Sequence, residues 1–88
     1  MDSNWVKGKI LHKLVRAGKI EASHTAVENL CRGFSRDRAG KIKECIKELV
    51  KEDILLQKFT NYGLQISINI DKSEKIKEYI NDYLLSED

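Results

Sequence analysis

Apolar residues recur every third or fourth position along most of this chain, and every second position between residues 54 and 70. The first rhythm gives a helix one buried face, and the second does the same for a strand. Residues 4–17 read as a first helix on Trp5, Val6, Ile10 and Leu14, flanked by Leu11 and Val15. Asp2 or Ser3 can cap it and Gly18 can stop it. "KIEA" is too short for a helix and suits one or two ladder rungs around Ile20. In "SHTAVENL", Thr25 and Glu28 have the spacing of a capping box, in which hydroxyl and carboxylate satisfy the first amides of a short second helix. Val27 and Leu30 face inward there, and Gly33 closes the segment. Ser35 is placed to cap a third helix over residues 36–52, buried along Ala39, Ile42, Ile46, Leu49 and Val50, with Cys45 at the edge. Gly40 interrupts it at up to ~1 kcal/mol relative to alanine. That cost predicts a close neighbour at its backbone, either a helix or a nucleic acid.

Residues 54–58 and 64–70 read as a hairpin. A three-residue loop, Asn61-Tyr62-Gly63, fits a type I turn ending in a positive φ, which glycine adopts without strain. This register pairs Leu56 with Ile68 and Ile54 with Ile70, and leaves Gln57, Ser67 and Asn69 on the other face. A four-residue loop would pair Phe59 with Leu64 instead. A last helix, about residues 72–85, opens on Asp71 with Glu74 as a second capping box. It carries Ile76, Tyr79, Ile80, Tyr83 and Leu84 on one face. The order helix, short strand, helix, helix, strand, strand, helix is that of a winged helix. The expectation is one mainly helical α+β domain over residues 1–88, its core in about 4–70. The hairpin is then the wing, with Tyr62 near its tip and Ile54, Leu56, Ile66 and Ile68 closing the bottom of a three-helix core.

A chain of 88 residues buries only about 60% of its unfolded surface, which leaves no room for a deep cofactor cleft beside a core. No run approaches the ~18 apolar residues of a membrane span, and the N-terminus lacks the apolar run of a secretory signal. A cytoplasmic protein with no membrane association is expected. His12, His24, Cys31 and Cys45 are scattered without a short ligand pair, so no metal is expected and the thiols read as small core residues. Charge is uneven: residues 1–51 hold twelve Lys or Arg against six acids, +6, and residues 52–88 four Lys against eight acids, −4, giving +2 overall. A basic half suits a polyanionic partner, although solvated helices also carry lysines. The chain has no glycine-rich phosphate loop, nucleophile elbow or paired acids in a credible cleft. A non-enzymatic protein without a cofactor is expected.

"SHTAVENLCRGF" and "GKIKECIKELVKEDILLQKFTNYGLQISIN" resemble a group of small prokaryotic, mainly archaeal, winged-helix proteins. The matching positions are His24, Thr25, Asn29, Leu30, Gly33, Phe34, Tyr62, Gly63, Leu64, Ser67 and Asn69, across the middle two-thirds of the chain. Members often carry proline after Gly-Phe and before the hairpin threonine, where this chain has Ser35 and Phe59. The resemblance implies a winged-helix fold and a nucleic-acid role.

A winged helix lays its third helix in the major groove and sets its wing on the neighbouring backbone or minor groove. The start of the third helix, "SRDRAGK", offers Ser35, Arg36, Arg38, Lys41 and Lys43 to phosphates and base edges, with Lys47 further along. Ser35 has a rival role as cap, and Asp37, Glu44 and Glu48 break the cationic face. On the wing, Lys58, Asn61 and Tyr62 are candidates, with Tyr62 equally readable as turn packing. The expected partner is double-stranded DNA, for a transcription regulator or DNA-associated accessory factor. The alternative is a protein-interaction module, because the fold alone does not fix function. Ile76, Tyr79, Ile80 and Tyr83 form a candidate homodimer face, or else cover the first helix around Leu11 and Val15.

Overall fold

In the computed structural model, which describes residues 3–86, four α-helices combine with a three-stranded antiparallel sheet. Helix α1 spans Ser3–Arg16 and buries Val6, Ile10, Leu11 and Leu14. Ser3 is already helical rather than a cap, and Asp2 lies outside the described residues. The stop at Gly18 forms as the sequence suggests. Its φ is +69°, its N–H donates to the Val15 carbonyl, and the Lys19 N–H donates to that of Leu14. These are the paired bonds of a Schellman ending.

The expected rung at Ile20 is present as an isolated bridge to Ile68. The capping box after it does not form. Thr25 belongs to strand β1, Thr25–Ala26, which pairs with Gln65 and Ile66. Its hydroxyl accepts from the Asn29 amide at 3.3 Å, so helix α2, Val27–Cys31, starts without a side-chain cap. Val27 and Leu30 are buried as expected.

Helix α3 is shorter than its apolar stripe suggests. A 3₁₀ turn, Arg36–Arg38, comes first, and α3 proper is Ala39–Lys51. Ser35 occupies the cap position of the turn but makes no side-chain bond there. Ile42, Cys45, Ile46 and Leu49 are buried, so Cys45 is a core residue rather than an edge one. Burial pushes its thiol pKa up.

The hairpin takes the tighter register. Strand β2, Leu55–Thr60, pairs with β3, Gly63–Ile68, so that Leu55 meets Ile68, Phe59 meets Leu64 and Thr60 meets Gly63. The pairings Leu56–Ile68 and Ile54–Ile70 are therefore wrong. Thr60 decides the turn. Its hydroxyl donates to the Gly63 carbonyl at 2.9 Å and accepts from the Tyr62 N–H at 3.1 Å, closing a two-residue loop. Gly63 does adopt positive φ, +107°. The core-closing set is Ile54, Leu55, Ile66 and Ile68, with Leu56 only half-buried. Strict alternation fails because Ile54 precedes the strand, its N–H bonded to the Leu49 carbonyl at the end of α3. Ser67 lies on the face opposite Ile66 and Ile68 as expected, whereas Gln57, paired with Ile66, moves to theirs. As part of the central strand Ser67 is fully buried, and its hydroxyl donates to the Glu21 carbonyl at 2.7 Å.

Asn69, not Asp71, starts the last helical segment. Its side chain accepts from the Asp71 N–H at 3.1 Å and donates to the Asp53 carbonyl at 2.8 Å. A 3₁₀ turn, Ile70–Lys72, leads into α4, Ser73–Leu85, which has no side-chain cap. Helix α4 packs on α1 around Gly8, Trp5 and His12, while Leu11 is buried in the cluster that includes Ile76 and Val15 stays exposed. A Cβ at Gly8 would strike the Tyr79 carbonyl and come within 2.6 Å of Tyr83 Cβ. Trp5 meets Tyr83 edge-on, with ring centroids 5.3 Å apart.

A polar clasp ties α1, α3 and α4 together. The buried Lys7 ammonium bonds Glu48 at 2.7 Å and Glu52 at 3.4 Å, and the Tyr79 hydroxyl donates to Glu52 at 3.0 Å. Burial alone would lower the Lys7 pKa, but the hydrogen bond to Glu48 and the surrounding charges raise it. The same bond lowers that of Glu48. Burial, then the bond to Glu52, raises that of Tyr79.

Candidate nucleic-acid interface

With Ile42, Cys45, Ile46 and Leu49 facing the core, the charged residues of α3 divide between two flanks. Lys43 and Lys47, one helical turn apart, lie on the flank beside α2 and the hairpin. They line a groove of about 270 Å³ with Val27, Ile46, Val50 and Leu64 as its apolar lining and Glu28 and Gln57 also on it. Lys43 is shared with a neighbouring open groove that Arg36, Arg32 and Phe34 also line. Arg36, Lys43 and Lys47 therefore follow one another along the α2 side of α3.

Lys41 stands on the other flank, where its charge acts on Cys45 and helps lower the pKa of Glu48. The expected cluster of Arg36, Arg38, Lys41 and Lys43 is thus not a single patch. Ser35 and Arg36 are exposed and Arg38 is half-buried. Gly40 is exposed, and an added Cβ there would meet nothing within 4 Å, so the close neighbour expected at this backbone is absent among the described residues. The glycine that does bring two helices together is Gly8.

The register fixes what each face of the hairpin presents. Directly paired residues share a face, so Leu55, Gln57 and Phe59 lie with Leu64, Ile66 and Ile68. Lys58 lies on the opposite face with Gln65. Tyr62 is 89% exposed and Phe59 76% exposed. Because Thr60 holds the turn, Tyr62 is not its packing residue.

Periodicity and charge do not single out Arg32, Gln57 or Phe59. For Phe59 the signal is the four-residue-loop pairing with Leu64, which sets its face. A second basic groove also lacks a sequence signature: Lys13, Arg16 and Lys19 line it with Thr25 and Asn29. Gly33, which reads only as a helix stop, leaves room for the Lys13 side chain. Lys9 lies 4.7 Å from the Phe34 ring centroid and 5.3 Å from that of Trp5, within cation–π range.

The α4 residues considered for self-association are engaged inside the chain. Ile76 is buried, Tyr79 bonds Glu52, Tyr83 meets Trp5 edge-on, and Ile80 packs against the core. Leu84 and Leu85 are the exposed apolar residues of this helix. Among the described residues, no group of three or more His, Cys, Asp or Glu is placed to hold a metal, and no helix is long and apolar enough to cross a membrane. No family model, curated protein or solved structure matches the chain.

Proposed function

We propose that this chain is a winged-helix module that binds double-stranded DNA. Helix α3 enters the major groove and the β2–β3 hairpin is the wing on the adjacent backbone. The observation that carries this is the strip Arg36, Lys43, Lys47 on the exposed side of α3, facing grooves shared with α2 and the hairpin. Two cations on one flank of α3 and a third on the 3₁₀ turn before it suit successive phosphates, and neutralising them releases counterions. The open space over Gly40 lets a sugar-phosphate backbone approach the helix where a side chain would stand in the way. Ser35 and Arg38 sit at the leading end of this surface, and Lys58, Asn61 and Tyr62 at the wing. The element order and the resemblance to small prokaryotic, mainly archaeal, winged-helix proteins support the same reading. In it the chain is a non-enzymatic, cytoplasmic regulator or accessory factor.

The adaptor alternative has one feature in its favour. Leu84 and Leu85, 57% and 81% exposed, offer an apolar end of α4 to a protein or to a second copy. A homodimer through Ile76, Tyr79, Ile80 and Tyr83 would instead require α4 to leave α1.

Fluorescence anisotropy with random duplex at several salt concentrations tests the proposal. Replacing Arg36, Lys43 and Lys47 together by alanine should weaken binding and flatten the salt slope by roughly one unit for each phosphate that is no longer neutralised. Lys41→Ala should do much less. A folded triple variant with unchanged affinity and slope would refute the assignment, and wild-type protein that ignores duplex at low salt would favour the adaptor.

A further inference from the structure

Six aromatic residues occur in the chain, and they fall into two groups. Trp5, Phe34, Tyr79 and Tyr83 are partly buried, and each meets another ring or a charged side chain. Phe59 and Tyr62 stand out in solvent on the hairpin. Phe59 is directly opposite Leu64 and on the same face as Gln57, and both of these line the groove beside α3. The ring therefore continues the apolar lining of that groove outward, while Lys43 and Lys47 supply positive charge along it and Glu28 a single acid.

We propose that this groove, with Phe59 at its lip, receives an unpaired base, so that the module prefers duplex DNA bearing a single-stranded junction over fully paired duplex. The inference rests on the DNA-binding reading above and names the substrate class of the same face. An exposed ring next to a lysine-lined groove suits the way single strands are held. The base stacks on the aromatic face and its phosphates meet the cations. A peptide helix fits less well, because helix-in-groove recognition needs a trough long enough for anchors over two turns. This groove is only about 270 Å³. A paired base cannot reach Phe59 without leaving its stack, a step that is cheapest where the base is already unpaired.

The test uses the full chain, a blunt duplex, the same duplex with a thymine tail, and the tail strand alone, at matched salt. The tailed duplex should bind at least about fivefold tighter than the blunt one, the low end of what stacking one base on an aromatic ring supplies. Phe59→Ala should abolish that preference and leave blunt-duplex affinity unchanged, and Phe59→Trp should restore it. Phe59 is exposed, so both variants keep the core, and circular dichroism checks this. Equal affinity for tailed and blunt duplex would overturn the inference while leaving duplex binding intact. A preference that survives in Phe59→Ala would also overturn it. Failure of all three DNAs to bind would overturn the DNA-binding reading with it and turn the groove over to an acidic amphipathic peptide.

Discussion

Lysine, tyrosine and glycine each occur on the α1–α4 side of this molecule and again on the α3–hairpin side, in opposite surroundings. On the first side Lys7 is buried between Glu48 and Glu52, Tyr79 donates to Glu52, and Gly8 lets the α4 backbone touch α1. On the second, Lys43 and Lys47 are exposed, the Tyr62 ring is in solvent, and Gly40 has open space above it. The residue types are the same on both sides. What differs is whether another element of the chain covers the face. The covered side consumes its polar groups in holding three helices together, whereas the uncovered side keeps its charges and rings available to a partner.

The two glycines should respond to alanine in opposite directions. Gly8→Ala should destabilise the fold by about 1–3 kcal/mol, the usual range for overpacking a tight contact. Gly40→Ala should stabilise it by up to about 1 kcal/mol through helix propensity alone, yet weaken duplex binding by filling the space over α3. Urea unfolding of the two variants measures the first pair of effects. Equal and small changes would mean that α4 does not dock as described.

The lysines should differ less. Lys7→Ala removes two charge-assisted bonds and leaves Glu48 and Glu52 facing each other. With the Glu partners partly exposed, the cost should be roughly 1–2 kcal/mol. Lys47→Ala should stay within about 0.5 kcal/mol, as surface substitutions do, and act on DNA affinity instead. Thermal melts at matched pH compare them.

The smallest effect is on pH dependence. Glu48 has a folded pKa below its ordinary 4.5, so its contribution is present above that pH and fades as pH falls through the lowered value. Lys7 and Tyr79 have folded values above their ordinary 10.5 and 10.0, so theirs is complete below those pH values and lost as pH rises past them. Stability from the clasp should therefore be flat between about pH 5 and 10 and decline on both sides. In Lys7→Ala the acid-side decline should shrink, because the lowered Glu48 value comes chiefly from Lys7, which denaturant midpoints across pH would show.

Much of the helical layout can be read from periodicity, because Ile10, Leu14, Ile42, Ile46 and Leu49 recur at the helical spacing and are buried. The Gly18 stop is also legible, since its positive φ has a specific residue signature. The caps are not, because a local hydroxyl competes with tertiary partners. Thr25 is drawn into the sheet, and Asn69 takes the role that the sequence suggests for Asp71. The register departs from the apolar pattern because one side-chain bond set, from Thr60, outweighs alternation at Ile54 and Leu56. At the candidate site the cations themselves are legible. Their division between flanks is not, since it depends on which side of α3 meets α1 and which meets α2 and the hairpin.

The most direct test of the contrast between the covered and uncovered sides is an amide chemical-shift titration of the whole chain with duplex DNA at low salt. The largest shifts should fall on residues 36–51 and 58–63, while the amides of α4, including Ile76, Tyr79 and Tyr83, stay in place. Shifts concentrated on α4 and the first turn of α1, or no shifts at all, would contradict that contrast.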